Sequence, residues 1–107
     1  MSEPAIGEEH EPTRDEVDRS QGPVLLEFGA GWCPHCQAIR AELTSQKALH
    51  PDVRHIVVED GPGRPLGRSY RVKLWPTLVF LRDGQILHRL VRPNATELAE
   101  GFAALRA

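Results

Sequence analysis

Little in this chain stands out by abundance, and what it lacks narrows the field. No apolar run approaches the ~18 residues of a membrane-crossing helix. The formal net charge is only -2, which gives no general pull toward nucleic acid or anionic membranes. There is no phosphate-cradling glycine loop, no dinucleotide fingerprint and no nucleophilic serine motif. Internal repeats and low-complexity tracts are missing as well. The acidic start, Met1 to Glu9, lacks the basic end and apolar centre of a secretory signal, so a cytoplasmic home is expected. Cysteine is scarce, with two among 107 residues, too few for a disulfide framework.

What is present is concentrated at those two cysteines, which stand as Cys33-Pro34-His35-Cys36. The β-prone run Val24-Leu25-Leu26-Glu27-Phe28 precedes them and a helix-like segment follows. Two sulfurs at this spacing on a strand-to-helix corner can form and break one disulfide. A free thiol ionises near pH ~8.5, and the thiolate is the reactive species. Cys33 is expected beside the helix N-terminus, whose open N–H groups and dipole favour negative charge. His35 can add a cation or an N–H donor, and its alternative is a solvated helix residue. Cys36, one turn further in and expected to be more buried, is the resolving thiol. A structural bridge would close a tiny loop and contribute little. A zinc site would need two further ligands, and His10, His50, His55 and His88 show no paired ligand spacing.

The rest of the chain reads as alternating elements of one domain. Residues 1–12 are polar and broken by Pro4 and Pro12, and are expected to be flexible. Thr13 and Glu16 have capping-box spacing, starting a short helix to about Arg19. Residues 24–29 form a strand covered on both faces. A helix is expected from Pro34 to about His50, with Ile39, Leu43 and Leu49 as its buried stripe and Ala38 and Ala41 beside it. Strands are expected over 53–59, 77–81 and 85–91, the last two joined by the Asp83-Gly84 turn. A short helix is expected over 66–70, and a final one starts near Asn94, its N-cap, with Glu97 three residues on. The βαβ crossover implies parallel pairing and the hairpin antiparallel pairing, hence a mixed sheet with helices on both faces.

Glu27-Phe28-Gly29-Ala30-Gly31-Trp32-Cys33-Pro34-His35-Cys36 resembles the active-site segment of thioredoxins. Trp75-Pro76-Thr77-Leu78-Val79-Phe80 resembles their cis-proline signature, and Asp83-Gly84 the hairpin turn after it. The Pro-His dipeptide is similar to that of periplasmic disulfide-forming oxidases of the same superfamily. The resemblance implies a three-layer α/β/α sandwich over residues 13–107. It implies Cys33 as nucleophile, Cys36 as resolving thiol, Trp32 and Pro34 on the surface around them, and Pro76 as a cis-proline facing the cysteines. Backbone beside such a proline can pair with an extended partner. Glu27 stands where the family has a buried acid; a buried carboxyl has a raised pKa, and Glu27 is expected to relay a proton to or from Cys36.

Four departures from the family pattern carry expectations of their own. Ala41 replaces the mid-helix proline, so a straighter helix is expected. Val57 replaces the lysine near the buried acid, leaving Glu27 with less electrostatic support. Trp75 is bulky before the cis-proline and is expected to narrow partner choice or cap the site, or simply to pack. The first strand is reduced to a hint at Ala5-Ile6. His50, His55 and His88 read as surface or strand-face residues. Arg64, Arg68, Arg71 and Lys73 read as a solvated face, or as a cluster that attracts acidic partners and depresses the Cys33 pKa.

The reading that follows is a monomeric thiol–disulfide oxidoreductase. It needs no cofactor and no metal, and acts on protein disulfides and dithiols with a redox partner protein. His35 argues for a couple more oxidising than Gly-Pro would give. The competing reading is a non-catalytic peptide-binding module on the same fold.

Overall fold

The structure is a computed structural model and describes residues 11–106. In chain order these form α1 (Arg14–Asp18), β1 (Pro23–Gly29), α2 (Pro34–Ala38), α3 (Arg40–Leu49), β2 (Arg54–Glu59), α4 (Pro65–Ser69), β3 (Thr77–Arg82), β4 (Gln85–Val91) and α5 (Ala95–Ala104). The sheet order is β2-β1-β3-β4, with β1 parallel to β2 and antiparallel to β3. The mixed sheet and the layered α/β arrangement are as expected. Ala5-Ile6 lies outside the described residues, as does most of the segment expected to be flexible. At its end Pro12 is buried and a Glu11 carboxylate oxygen accepts from the Leu66 N–H at 3.3 Å.

Strand β1 organises the core because it is paired on both edges and buried on both faces. Val24, Leu26 and Phe28 point one way, into a cluster with Ile56, Val79 and Leu66. Leu25 points the other way, into a cluster with Leu43, Phe80 and Phe102. The period-2 alternation of the strand decides this partition. Glu27, two residues from Leu25, therefore faces the α2–α3 side. Local rules set the element ends as expected. Thr13 and Asn94 both close full capping boxes, and the Asp83-Gly84 turn takes φ of 53° and 80° at its two residues.

Two expectations about the long helix fail. Its path is broken at Ile39, with φ -97° and ψ 0°, although no proline stands there. A regular helix turns successive side chains about 100° apart. The break lets adjacent Ile39 and Arg40 both be used inward, one in the core and one against Glu27. Leu49, expected in the buried stripe, is 69% exposed. Six residues separate it from Leu43, which is no helical repeat, and it falls off the core face. Ala38 and Ala41 are exposed too.

The second core cluster is tight where α5 crosses the sheet. The Phe80 and Phe102 rings meet edge to face at 5.3 Å, and a Cβ on Gly101 would come within 2.5 Å of the Phe80 ring. Phe80 is fully buried and cannot yield cheaply. Alanine gains about 1 kcal/mol of helix propensity over glycine, but overpacking costs about 1–3 kcal/mol. Gly101→Ala is therefore expected to lower stability by about 1 kcal/mol, read as a lower urea midpoint at unchanged slope. A raised midpoint would show that the ring moves freely.

Candidate active site

Cys33 ends the loop after β1 and is the N-cap of α2, with Pro34 at the first helical position. Both cysteines are free thiols, and they are buried alike, Cys33 at 4% and Cys36 at 3% exposure. Both pack with Ala30 beneath Trp75, and the Cys36 sulfur sits the deeper of the two, as expected. What separates them is their surroundings. Burial pushes the Cys33 thiol up, but the backbone N–H and thiol of Cys36, the backbone N–H of His35 and the charge of Arg92 outweigh it, and its pKa is lowered. The sulfur makes no close capping bond, so the first-turn N–H groups remain open to a thiolate. The Cys36 thiol is pushed up to about 11, by burial first, then by Cys33 and the negative charge of Glu27. Gly29 closes the corner from below: a Cβ there would come within 2.5 Å of the Cys36 sulfur.

His35 acts on Cys33 through its backbone N–H, and its side chain is exposed. The leading cation acting on Cys33 is Arg92, which sequence reasoning passed over; Arg64, Arg68, Arg71 and Lys73 are not among the main causes.

Glu27 departs most from expectation. Its side chain is 2% exposed, yet its carboxylate is held by three donors. Arg40 reaches it with both terminal nitrogens, at 3.2 and 2.8 Å, and His55 Nε2 lies 2.8 Å from Oε1. An ionised carboxylate only accepts, so Nε2 carries the proton of that bond. Burial raises the carboxyl, but these bonds and charges win and its pKa is lowered, not raised. Arg40 and His55 replace the support that Val57 cannot give; Val57 pairs with Glu27 in the ladder and is 48% exposed. His55 is thus no mere strand-face residue. Arg40 was legible: it lies four residues past Cys36. A small cavity of about 80 Å³ joins Glu27, Cys36 and Arg40. Among the described residues no cluster of His, Cys, Asp or Glu could hold a metal.

The opposite wall is the Trp75–Pro76 bond, which is cis. The antiparallel register that pairs Phe28 with Thr77 sets Pro76 beside Gly29, at the cysteine corner. Four bonds fix this turn. Thr77 Oγ1 donates to the Leu74 carbonyl at 2.6 Å, and Trp75 Nε1 donates to Asp60 at 2.8 Å. Arg92 donates its backbone N–H to the Pro76 carbonyl at 2.9 Å and its Nε to the Trp75 carbonyl at 2.8 Å. Trp32, 70% exposed, meets Trp75 edge to face at 5.6 Å. All the expected site residues, Glu27, Trp32, Cys33, Pro34, His35, Cys36, Trp75 and Pro76, come together; Arg40, His55, Asp60 and Arg92 join them.

A redox-ready dithiol on a strand-to-helix corner, facing a cis-proline turn, defines the thioredoxin-fold thiol–disulfide oxidoreductases. The thioredoxin family profile matches residues 7–104. A solved structure of thioredoxin 2 from Pseudomonas aeruginosa PAO1, in its reduced form, superposes with a TM-score of 0.78 at 57% identity, covering 88% of each chain. Thioredoxin Asp f 28 of Aspergillus fumigatus is 33% identical over 82% of each chain. An H-type thioredoxin of Populus jackii is 31% identical over 84% of this chain and 65% of its own length. The chain belongs to the thioredoxin family, and it is a protein thiol–disulfide oxidoreductase.

Two measurements check these environments. Glu27 has a folded pKa below its unfolded value of about 4.3, so its stabilisation is present above that pH and fades as pH falls through the folded value. Glu27→Gln is expected to lose about 2 kcal/mol at pH 7, because Arg40 and His55 lose their anion. Urea curves of mutant and wild type should converge only below the ordinary carboxylate range; a gap that closes already near pH 6 would contradict a lowered pKa. Alkylation followed by mass spectrometry should label Cys33 first, with a midpoint below the ordinary thiol value, while Cys36 resists until pH approaches about 11. First labelling at Cys36 would reverse the assignment.

Proposed function

We propose that the Cys33–Cys36 couple exchanges disulfides with protein partners in two steps, at a potential more oxidising than a Gly-Pro couple. The observation that carries this is the opposite displacement of two thiols three residues apart. In the reducing direction the Cys33 thiolate attacks a partner disulfide, forming a mixed disulfide and releasing one partner thiolate. Cys36 then loses its proton and attacks the Cys33 sulfur, which releases the second partner thiolate. Two electrons have passed to the partner, and the protein holds the disulfide. Once Cys33 is in the mixed disulfide, its own share in raising the Cys36 pKa disappears, so deprotonation becomes easier at the step that needs it.

Glu27 is the proton acceptor in this scheme. Held ionised by Arg40 and His55, it is in its basic form at neutral pH and shares a cavity with Cys36. Stabilising the Cys33 thiolate stabilises the dithiol and so makes the disulfide the stronger oxidant. A Gly-Pro dipeptide would place proline at position 35, so this dipeptide adds both the backbone N–H of His35, which acts on Cys33, and the imidazole. Trp32 and Leu74, 70% and 49% exposed beside the cis-proline turn, supply apolar contact for an extended partner. The same face supports the second reading, a module that binds peptides without turnover. A cytoplasmic home belongs to the proposal as well, and there the partner's potential sets the direction of flux.

Equilibration with glutathione is expected to place the couple above about -270 mV, the value of a typical thioredoxin. His35→Gln, which keeps the backbone N–H and removes the imidazole, is expected to move it toward that value. A wild-type potential at or below it would end the oxidising reading. Cys33→Ser is expected to abolish insulin reduction; peptide binding by a wild type that never turns over would favour the module.

A further inference from the structure

Arg92 takes up a backbone conformation that its residue type disfavours. Its φ is +48°, the left-handed region where glycine is at ease and a side chain with Cβ is not. A residue kept there against its preference points to a use for the side chain. Part of that use is structural, since its Nε and backbone N–H hold the carbonyls on either side of the cis bond. The two terminal nitrogens are not spent on this. Among the described residues nothing accepts from them, and the residue is exposed. A guanidinium with its fork open therefore stands at the turn where an extended partner would pair, close enough to act on Cys33.

The cationic character continues past Trp75. Asp60, which holds the Trp75 indole, also lines a groove of about 430 Å³ whose other walls include Arg68, Arg71 and Lys73. These three side chains are exposed and take no partner among the described residues. The chain as a whole carries a formal net charge of -2, so this concentration of cations runs against the global balance.

We propose that the active face selects partner segments carrying a carboxylate beside the target cysteine, with the Arg92 guanidinium as the group that reads it. The groove of Arg68, Arg71 and Lys73 accepts further acidic residues of the same segment. The proposal rests on the exchange chemistry above, and adds the class of polypeptide that chemistry serves.

The test is a single-turnover reaction of the reduced protein with two cyclic disulfide peptides. They differ only in having Glu or Lys beside one cysteine. In each reaction the protein dithiol becomes a disulfide and the peptide disulfide becomes two thiols, followed by the fluorescence of Trp32 and Trp75. The ratio of the two rates is the readout, because any change in the Cys33 thiolate fraction cancels in it. At low salt the wild type is expected to favour the Glu peptide about fivefold, the size of one surface charge pair, and the preference should shrink in about 1 M salt. Arg92→Gly, whose glycine suits the left-handed backbone, should bring the ratio within about twofold of unity. Arg92→Lys, which keeps the charge, should retain most of the preference. Equal rates in the wild type, or an undiminished preference in Arg92→Gly, would overturn the proposal. Failure to react with either peptide would overturn the exchange chemistry itself.

Discussion

The arrangement of this site depends on keeping one carboxylate ionised inside the protein. Glu27 is on the central strand, almost without solvent, where an unpaired charge would be prohibitive. Arg40 comes from the start of α3, just past the helix that carries the resolving cysteine, and His55 from the neighbouring parallel strand. Satisfying one charge therefore ties β1, α3 and β2 into a fixed relation. The helix break at Ile39 belongs to the same solution, since it turns Arg40 toward the acid while Ile39 stays in the core. Removing either partner would leave a charge buried and partly unanswered, which is costlier than never having built the group.

That charge also sorts the two cysteines. Desolvation is the first cause of the raised Cys36 pKa, and the charges around the two sulfurs add to the difference. Cys33 faces the open first turn of α2 and a guanidinium, both of which favour an anion. Cys36 faces Glu27 and the Cys33 sulfur, both of which disfavour one. These surroundings favour ionisation of Cys33 before Cys36, and a mixed disulfide at Cys33 would remove the Cys33 share of the opposition to a Cys36 anion while burial and Glu27 remain.

Most of the frame was legible because it rests on local rules. Alternation along residues 24–29, two capping boxes, the Asp-Gly hairpin and a Cys-x-x-Cys corner each specify structure within a few residues. The resemblance to thioredoxins carried the fold, Pro76 and the meeting of the two motifs. What escaped were long-range polar partnerships. Arg40 was legible as a neighbour of Cys36 from its four-residue spacing, but nothing local paired it with Glu27 thirteen residues away. His55 looked like a face residue because strand register, not sequence, puts it diagonal to Glu27. The direction of the Glu27 pKa was missed for the same reason: burial is foreseeable from one strand, whereas its answering donors come from two others. Arg92 gave no signal, since a left-handed φ at a non-glycine residue leaves no mark in the sequence.

The ionisation of Cys33 sets a limit on how far such tuning is useful. Lowering a thiol's pKa increases the thiolate fraction only until the pKa reaches the ambient pH. Beyond that point every further decrease weakens the nucleophile, with a Brønsted slope of about 0.4–0.5, while the disulfide becomes a stronger oxidant. The helix N–H groups vary only with whether proline stands at position 35, so the wider adjustment lies in the charge placed around the corner. Here the leading cation that acts on the sulfur is Arg92 on the proline side, while His35 acts through its backbone N–H and its side chain is exposed. A cation held by the fold at the proline turn favours the thiolate without occupying the helix N–H groups, so the two contributions act side by side on the same sulfur.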